Sequence, residues 1–174
     1  MNPLSAPIGV AVAETGEAAY PREAPFDPPE RYPELQEDFW HLDPDNRVYA
    51  GVREALRLLG LDAEWFGTPH WNPLGAIIRP GDRVVIKPNL VRHFHGDGLG
   101  LDSLITNGSV VRAVMDYVIL ALKGRGEIAI GDSPLQYADF RATVEQSGLD
   151  RVVEDARRSA GVPIRLVDFR RTRS

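Results

Sequence analysis

The chain contains no cysteine. That absence excludes disulfides, thiolate zinc sites, thiol nucleophiles and any iron–sulfur cluster ligated by this chain. Lysine is scarce: Lys87 and Lys123 are the only two, so eighteen of the 20 basic side chains are arginine. Long apolar runs are missing as well. The most apolar stretch, Val110 to Leu122, contains Arg112 and Asp116 and is too short and too polar to span a bilayer. The first residues, MNPLSAPIGVAVAE, lack the basic start and apolar centre of a secretory signal. The expectation is therefore a cytoplasmic protein without membrane contact. The net charge of −5 and the lack of a basic stripe among the aromatics argue against nucleic-acid binding.

What is present fits one α/β domain over residues 1–174, long enough to bury a core. Charge is unevenly spread. Residues 1–45 hold ten acids and two bases, a balance of −8 that leaves +3 for the rest. Within this segment, residues 17–45 carry six of the 14 prolines and read as an irregular acidic arm. Its aromatics Tyr20, Phe26, Tyr32, Phe39 and Trp40 suggest packing on the body, whereas its acids suggest a solvated surface.

Periodicity assigns the remaining elements. Ile8 to Val12 reads as a short buried strand. Asn46 to Leu59 reads as a helix with Val48, Val52, Ala55, Leu56 and Leu59 on one face and Gly60 just past its end. Arg83 to Lys87 is a strand. Val110, Val111, Val114, Val118, Ala121 and Leu122 recur at helical spacing behind a cap at Asn107 or Ser109. Glu127 to Ile130 is the next strand, residues 138–147 and 149–160 read as two helices or as one broken at Gly148, and Ile164 to Phe169 is a last strand. Alternating strands and helices imply βαβ units: an open, mainly parallel sheet with helices on both faces, preceded by the Pro-rich acidic arm.

In such sheets ligands bind beyond the carboxyl ends of the strands. Those ends are polar here: Lys87-Pro88-Asn89, Gly131-Asp132-Ser133-Pro134, and Asp168 with Arg170 beyond. Between the first strand and its helix lies a loop of nearly twenty residues, where about 2–6 is usual. Lys87 reads either as a cation for an anionic ligand or as the partner of Asp132 or Asp168. Asp132 reads as a general base or a metal ligand; Lys87 and Asp132 are the candidate catalytic pair. Asn89, Thr106, Asn107 and Ser133 are candidate substrate contacts, with the helix start at Thr106 to Ser109 offering free N–H groups to an anion. Ordinary turn and cap chemistry serves the same residues. Ser133 lacks a histidine after His95 to act as its base, which disfavours a nucleophile. His93 and His95, two apart in an extended segment, share a side, and with Asp97 they compose a candidate site for a divalent metal. His41 and His70, each beside a tryptophan, read as packing or surface residues.

The segments VREALRLLGLD, NPLGAIIRPGDRVVIKPNLV, TNGSVVRAVMDYVILAL and EIAIGDSP together resemble the DUF362 family, a domain of unknown function. The resemblance covers about residues 48–134. It implies the α/β fold and the polar sheet edge, and it implies that the chain corresponds to the amino-terminal part of a longer domain. Some members carry ferredoxin-type cysteines; this chain has none, which makes an electron-transfer accessory a poor reading. The leading expectation is a metal- or anion-binding enzyme domain acting on a small anionic metabolite. The alternative is a noncatalytic assembly module that self-associates or meets a partner subunit at an uncovered sheet edge.

Overall fold

The computed structural model describes residues 9–16, 19–35 and 41–171. Helix α1 spans Arg47–Leu58 and begins where the Asn46 side chain accepts the Tyr49 N–H at 3.0 Å, the expected bond of an Asn cap. One 3₁₀ turn follows at Ala63–Trp65. Then come β1 (Arg83–Ile86), α2 (Gly108–Leu122), β2 (Glu127–Asp132), α3 (Phe140–Ser147), α4 (Leu149–Ala156) and β3 (Ile164–Asp168). Gly148 separates α3 from α4 at φ 76°, a left-handed conformation that glycine adopts without a Cβ penalty. The expected strand at Ile8 to Val12 is not there. Ile8 lies outside the described residues, and residues 9–16 form no strand, with Val10 88% and Val12 82% exposed. An apolar run without a neighbouring strand has no ladder to join. Among the described residues no helix is long and apolar enough to cross a membrane.

The three strands are parallel, in the order β1-β2-β3. Val84, Ile86, Ile128, Ile130, Ile164 and Leu166 share one face and pack with α2 and α4 residues such as Val111, Met115, Val118 and Val152. Fully burying a side chain such as Ile128, Ile130 or Ile164 contributes about 1.5–3 kcal/mol, so this layer is the main core. The expected helices on both faces are instead a single layer. The strand order steps twice in the same direction, and two right-handed crossovers that do so leave their helices on the same side. The opposite face presents Val85, 61% exposed, and a ladder of ion pairs. Arg83 Nε meets Glu127 Oε1 at 3.0 Å and Arg165 Nη2 meets Glu127 Oε2 at 3.1 Å.

A second core lies between α1, α2 and the arm, built on Tyr32, Leu35, Tyr49, Trp71 and Tyr117. The arm packs against the helices, and part of its acid is buried: Glu34 is 2% exposed and Asp27 8%. Glu34 accepts Arg53 Nε at 2.7 Å and the Tyr117 hydroxyl at 2.9 Å. Arg53 in turn lies 4.3 Å from the Tyr32 ring centroid, a cation–π contact. Asn46, wholly buried, donates its amide to the carbonyls of Phe26 and Asp27 at 3.0 and 2.9 Å. Phe39 and Trp40 lie outside the described residues.

Arg112 joins these layers. Its guanidinium, 2% exposed at the side chain, meets Asp27 at 3.2 Å, Asp116 at 2.9 Å and Asp155 at 3.0 Å. It also donates to the Pro25 carbonyl at 3.2 Å. The Tyr49 hydroxyl donates to Asp116 at 2.7 Å, adding α1. Burial pushes the carboxyls of Asp27 and Asp116 above the ordinary range even though Arg112 opposes it. A raised carboxyl means that the folded chain holds the proton more tightly than the unfolded one. Its contribution therefore favours folding at acid pH and fades as pH rises through the raised value. Arg112→Met is expected to lose about 3–5 kcal/mol at neutral pH, because it strands buried carboxylates. Denaturant titration at pH 7 and pH 5 will show the deficit narrowing on acidification; an equal deficit at both contradicts the assignment.

Candidate functional site

Strand β1 stops pairing with β2 at Ile86↔Ile130, yet β2 runs two residues further. Gly131 makes that extension possible: a Cβ there would stand 1.9 Å from the Val167 carbonyl oxygen of β3. The next residue, Asp132, takes the place of the lost ladder. Its Oδ2 accepts the Leu90 N–H at 2.7 Å and its Oδ1 meets Lys87 Nζ at 2.7 Å. Burial alone would raise this carboxyl, but the Lys87 ammonium and the N–H groups of Leu90 and Ser133 outweigh it and hold Asp132 below the usual carboxylate range. Asp132 is thus an ionised anchor, 8% exposed at the side chain, while Lys87 is 56% exposed. A carboxylate so committed is a weak base at neutral pH. The ammonium it holds in place has further N–H bonds to offer.

The long loop is closed at its neck. Asn89 N–H donates to Thr106 Oγ1 at 3.0 Å and Thr106 N–H donates back to the Asn89 carbonyl at 2.7 Å. Leu90 bridges Ile105 antiparallel, and both are buried. Thr106 thus spends its hydroxyl on the neck, and Asn107 spends its amide oxygen capping α2 through Ser109 N–H at 2.9 Å. Gly108 and Ser109 are buried. A Cβ at Gly108 would strike the Ser147 carbonyl at 2.5 Å and Phe26 at 2.8 Å, so the first turn of α2 is covered by α3 and the arm. Asn89 and Ser133 are exposed at the sheet edge.

The histidines take separate partners. His93 Nδ1 accepts the Asp139 N–H at 2.9 Å, at the cap of α3. A ring that accepts at Nδ1 carries its proton on Nε2. Metal binding at Nε2 would move that proton to face the Asp139 N–H. His95 Nδ1 accepts the Asp97 N–H at 3.2 Å and lies 3.9 Å from Asp97 Oδ2, which likewise leaves Nε2–H as a donor. Among the described residues no three His, Asp or Glu side chains converge as a metal-binding group.

Arg170 does more than its position beyond β3 suggested. Its Nε and Nη2 grip Asp168 at 2.9 and 2.7 Å. Its Nη1 donates to the carbonyls of Leu135 at 2.8 Å and Ala138 at 2.9 Å. The guanidinium holds the Asp168 carboxyl below its usual range. It ties the loop after β2 to the end of β3, a fork geometry that lysine cannot supply. A second feature, the exposed rings Phe94 and Tyr137, escaped sequence reading. The available signal was an aromatic in each loop that follows the first two parallel strands.

Depressed carboxyls such as Asp132 contribute stability above the unfolded pKa, about 4, and lose it as pH falls through the depressed value. Asp132→Asn should therefore cost most near neutrality and least at low pH in urea titrations. Asp132→Ala should cost roughly 2–3 kcal/mol because it removes the acceptor of the buried Leu90 N–H and of the Ser133 N–H. Lys87→Met, which removes a largely exposed partner, should cost about 1 kcal/mol. The reverse order would contradict the anchoring role.

A family profile described as Domain of unknown function (DUF362) matches residues 84–174. No curated protein and no solved structure matches the chain. The matched span begins within β1 and continues through β3, so it lies later in the chain than the expected 48–134 and takes in the whole sheet and its polar edge. It includes Lys87, Asp132, both loop histidines and Arg170, and covers just over half of the residues: the chain belongs to the DUF362 family.

Proposed function

We propose that the carboxyl edge of the sheet holds a small anionic metabolite, with Lys87 as the cation that meets it. The observation that carries this reading is the asymmetry of one ion pair. Its carboxylate is buried and fixed by backbone donors, while its ammonium is more than half exposed at the strand end. Strand ends of parallel sheets are where ligands bind, and a compact ammonium suits phosphate or carboxylate. In this reading Asp132 is a positioning residue. Asn89 and Ser133 stand exposed beside it to orient the ligand, and His95 offers an N–H. Metal binding by His93, His95 and Asp97 is the less supported half, because His93 already serves the start of α3.

Calorimetric titration with inorganic phosphate and with malonate tests the reading. Saturable binding that Lys87→Met weakens at least roughly tenfold is expected, as one lost charge-assisted bond contributes about 1.5–3 kcal/mol. Equal binding by wild type and variant would overturn it.

A second reading, an assembly module, is favoured by the uncovered sheet face. All-parallel sheets are ordinarily covered on both faces, whereas Val85 here is 61% exposed between Arg83 and Lys87. Sedimentation velocity across a hundredfold concentration range tests self-association. A rising mass that Val85→Glu abolishes supports it, and a constant monomer mass removes it.

A further inference from the structure

We infer that the anion held at this edge carries a planar ring, and that Phe94 and Tyr137 form the ledge on which the ring stacks. The inference rests on the reading that Lys87 meets an anion, and adds the class of ligand: an aryl phosphate, a nucleotide or a similarly built molecule.

Three observations carry it. First, two large rings stand in solvent beside each other. Phe94 is 43% and Tyr137 61% exposed, with centroids 6.1 Å apart and planes tilted by 44°. Val91 and Leu135, each also more than a third exposed, continue the apolar surface beneath them. Clustered exposed apolar groups mark binding sites more often than scattered ones do. The two rings already touch, so a ligand ring lies against them instead of between them.

Second, the chain carrying the rings is fastened on both sides. The Leu135 N–H donates to the Val91 carbonyl at 3.0 Å, and the Asp139 N–H to His93 at 2.9 Å. Arg170 grips the carbonyls of Leu135 and Ala138 from beyond β3. Leu90, four residues before Phe94, donates to Asp132 itself. The segment that leads to Phe94 is thus anchored, at Leu90, to the carboxylate that positions Lys87. Fixing exposed rings in advance removes the ordering cost that a mobile loop would pay on binding.

Third, a cation sits at the ledge. The Arg92 guanidinium lies 5.4 Å from the Phe94 centroid, and among the described residues it has no carboxylate within ion-pair distance. A planar cation over one ring and an ammonium at the strand end favour a ligand that combines a flat π-system with negative charge.

The experiment compares inorganic phosphate, phenyl phosphate and cyclohexyl phosphate by calorimetry on the full chain. Phenyl phosphate should bind on the order of tenfold more tightly than phosphate, the increment that one stacked ring supplies, and more tightly than the saturated analogue. Phe94→Ala and Tyr137→Ala alter exposed side chains, so their thermal melts should match wild type. Each should erase most of the phenyl increment while phosphate affinity stays as it was. Phosphate binding with no phenyl preference, or a preference indifferent to both substitutions, would overturn the ledge and leave the anion site standing. Equal affinity for the phenyl and cyclohexyl compounds would overturn the planar-ring requirement. Failure of all three phosphates to bind would overturn the anion reading and the ledge together.

Discussion

A single buried guanidinium organises this chain. Arg112 reaches the arm at Pro25 and Asp27, its own helix at Asp116, and α4 at Asp155. The contacts to the arm and to α4 draw together segments remote in sequence, Pro25 and Arg112 being 87 residues apart. Burial lifts the carboxyls of Asp27 and Asp116 despite their cationic partner, and the neighbouring Asp155 carboxylate adds to it. The arrangement persists because the surrounding hydrophobic layers enforce it. With the arm held there, Phe26 is 3% exposed and seats against Gly108 and Gly148. This closes α2 against the α3–α4 junction.

The sheet edge is built where ladder pairing stops. Ladder pairing of β1 ends at Ile86, and side-chain chemistry then carries the chain onward: Asp132 accepts from Leu90, and Thr106 closes the neck with Asn89. Polar residues gather at the end of an apolar strand because the backbone groups released there need partners. Most of them are consumed in that task. What remains outward is a positive end at Lys87, exposed amide and hydroxyl groups at Asn89 and Ser133, and the aromatic surface next to Arg92. The loops behave as a braced frame, with Arg170 and His93 tying β3 and α3 to the segments that follow β2 and β1.

Local pattern made much of the fold legible. The period of Val110 to Leu122 found α2, Asn46 and Gly60 bounded α1, and the β-branched runs found all three strands. The one-sided helical layer was not legible, since strand order depends on which neighbour each strand meets and composition is silent on that. The buried acids of the arm were hidden for a similar reason: Asp27 and Glu34 look like surface charge until Arg112 and Arg53 arrive from distant segments. At the site, the ion pair of Lys87 with Asp132 was foreseen as one of two possibilities. Thr106 and Asn107 were foreseen as either ligand contacts or cap residues, and their bonds are those of cap and turn. The clamp by Arg170 and the bond from Asp139 to His93 depend on loop paths, which residue spacing does not determine.

The central claim is that the exposed ammonium of Lys87 is a ligand contact and that Asp132 aims it. A crystal structure of the full chain grown with phenyl phosphate tests this most directly. The account predicts the phosphate within hydrogen-bond distance of Lys87 Nζ, with Asp132 still bonded to Leu90 and the ring lying on Phe94 and Tyr137. Density for the ligand at another surface, with Lys87 bound to Asp132 alone, would contradict it.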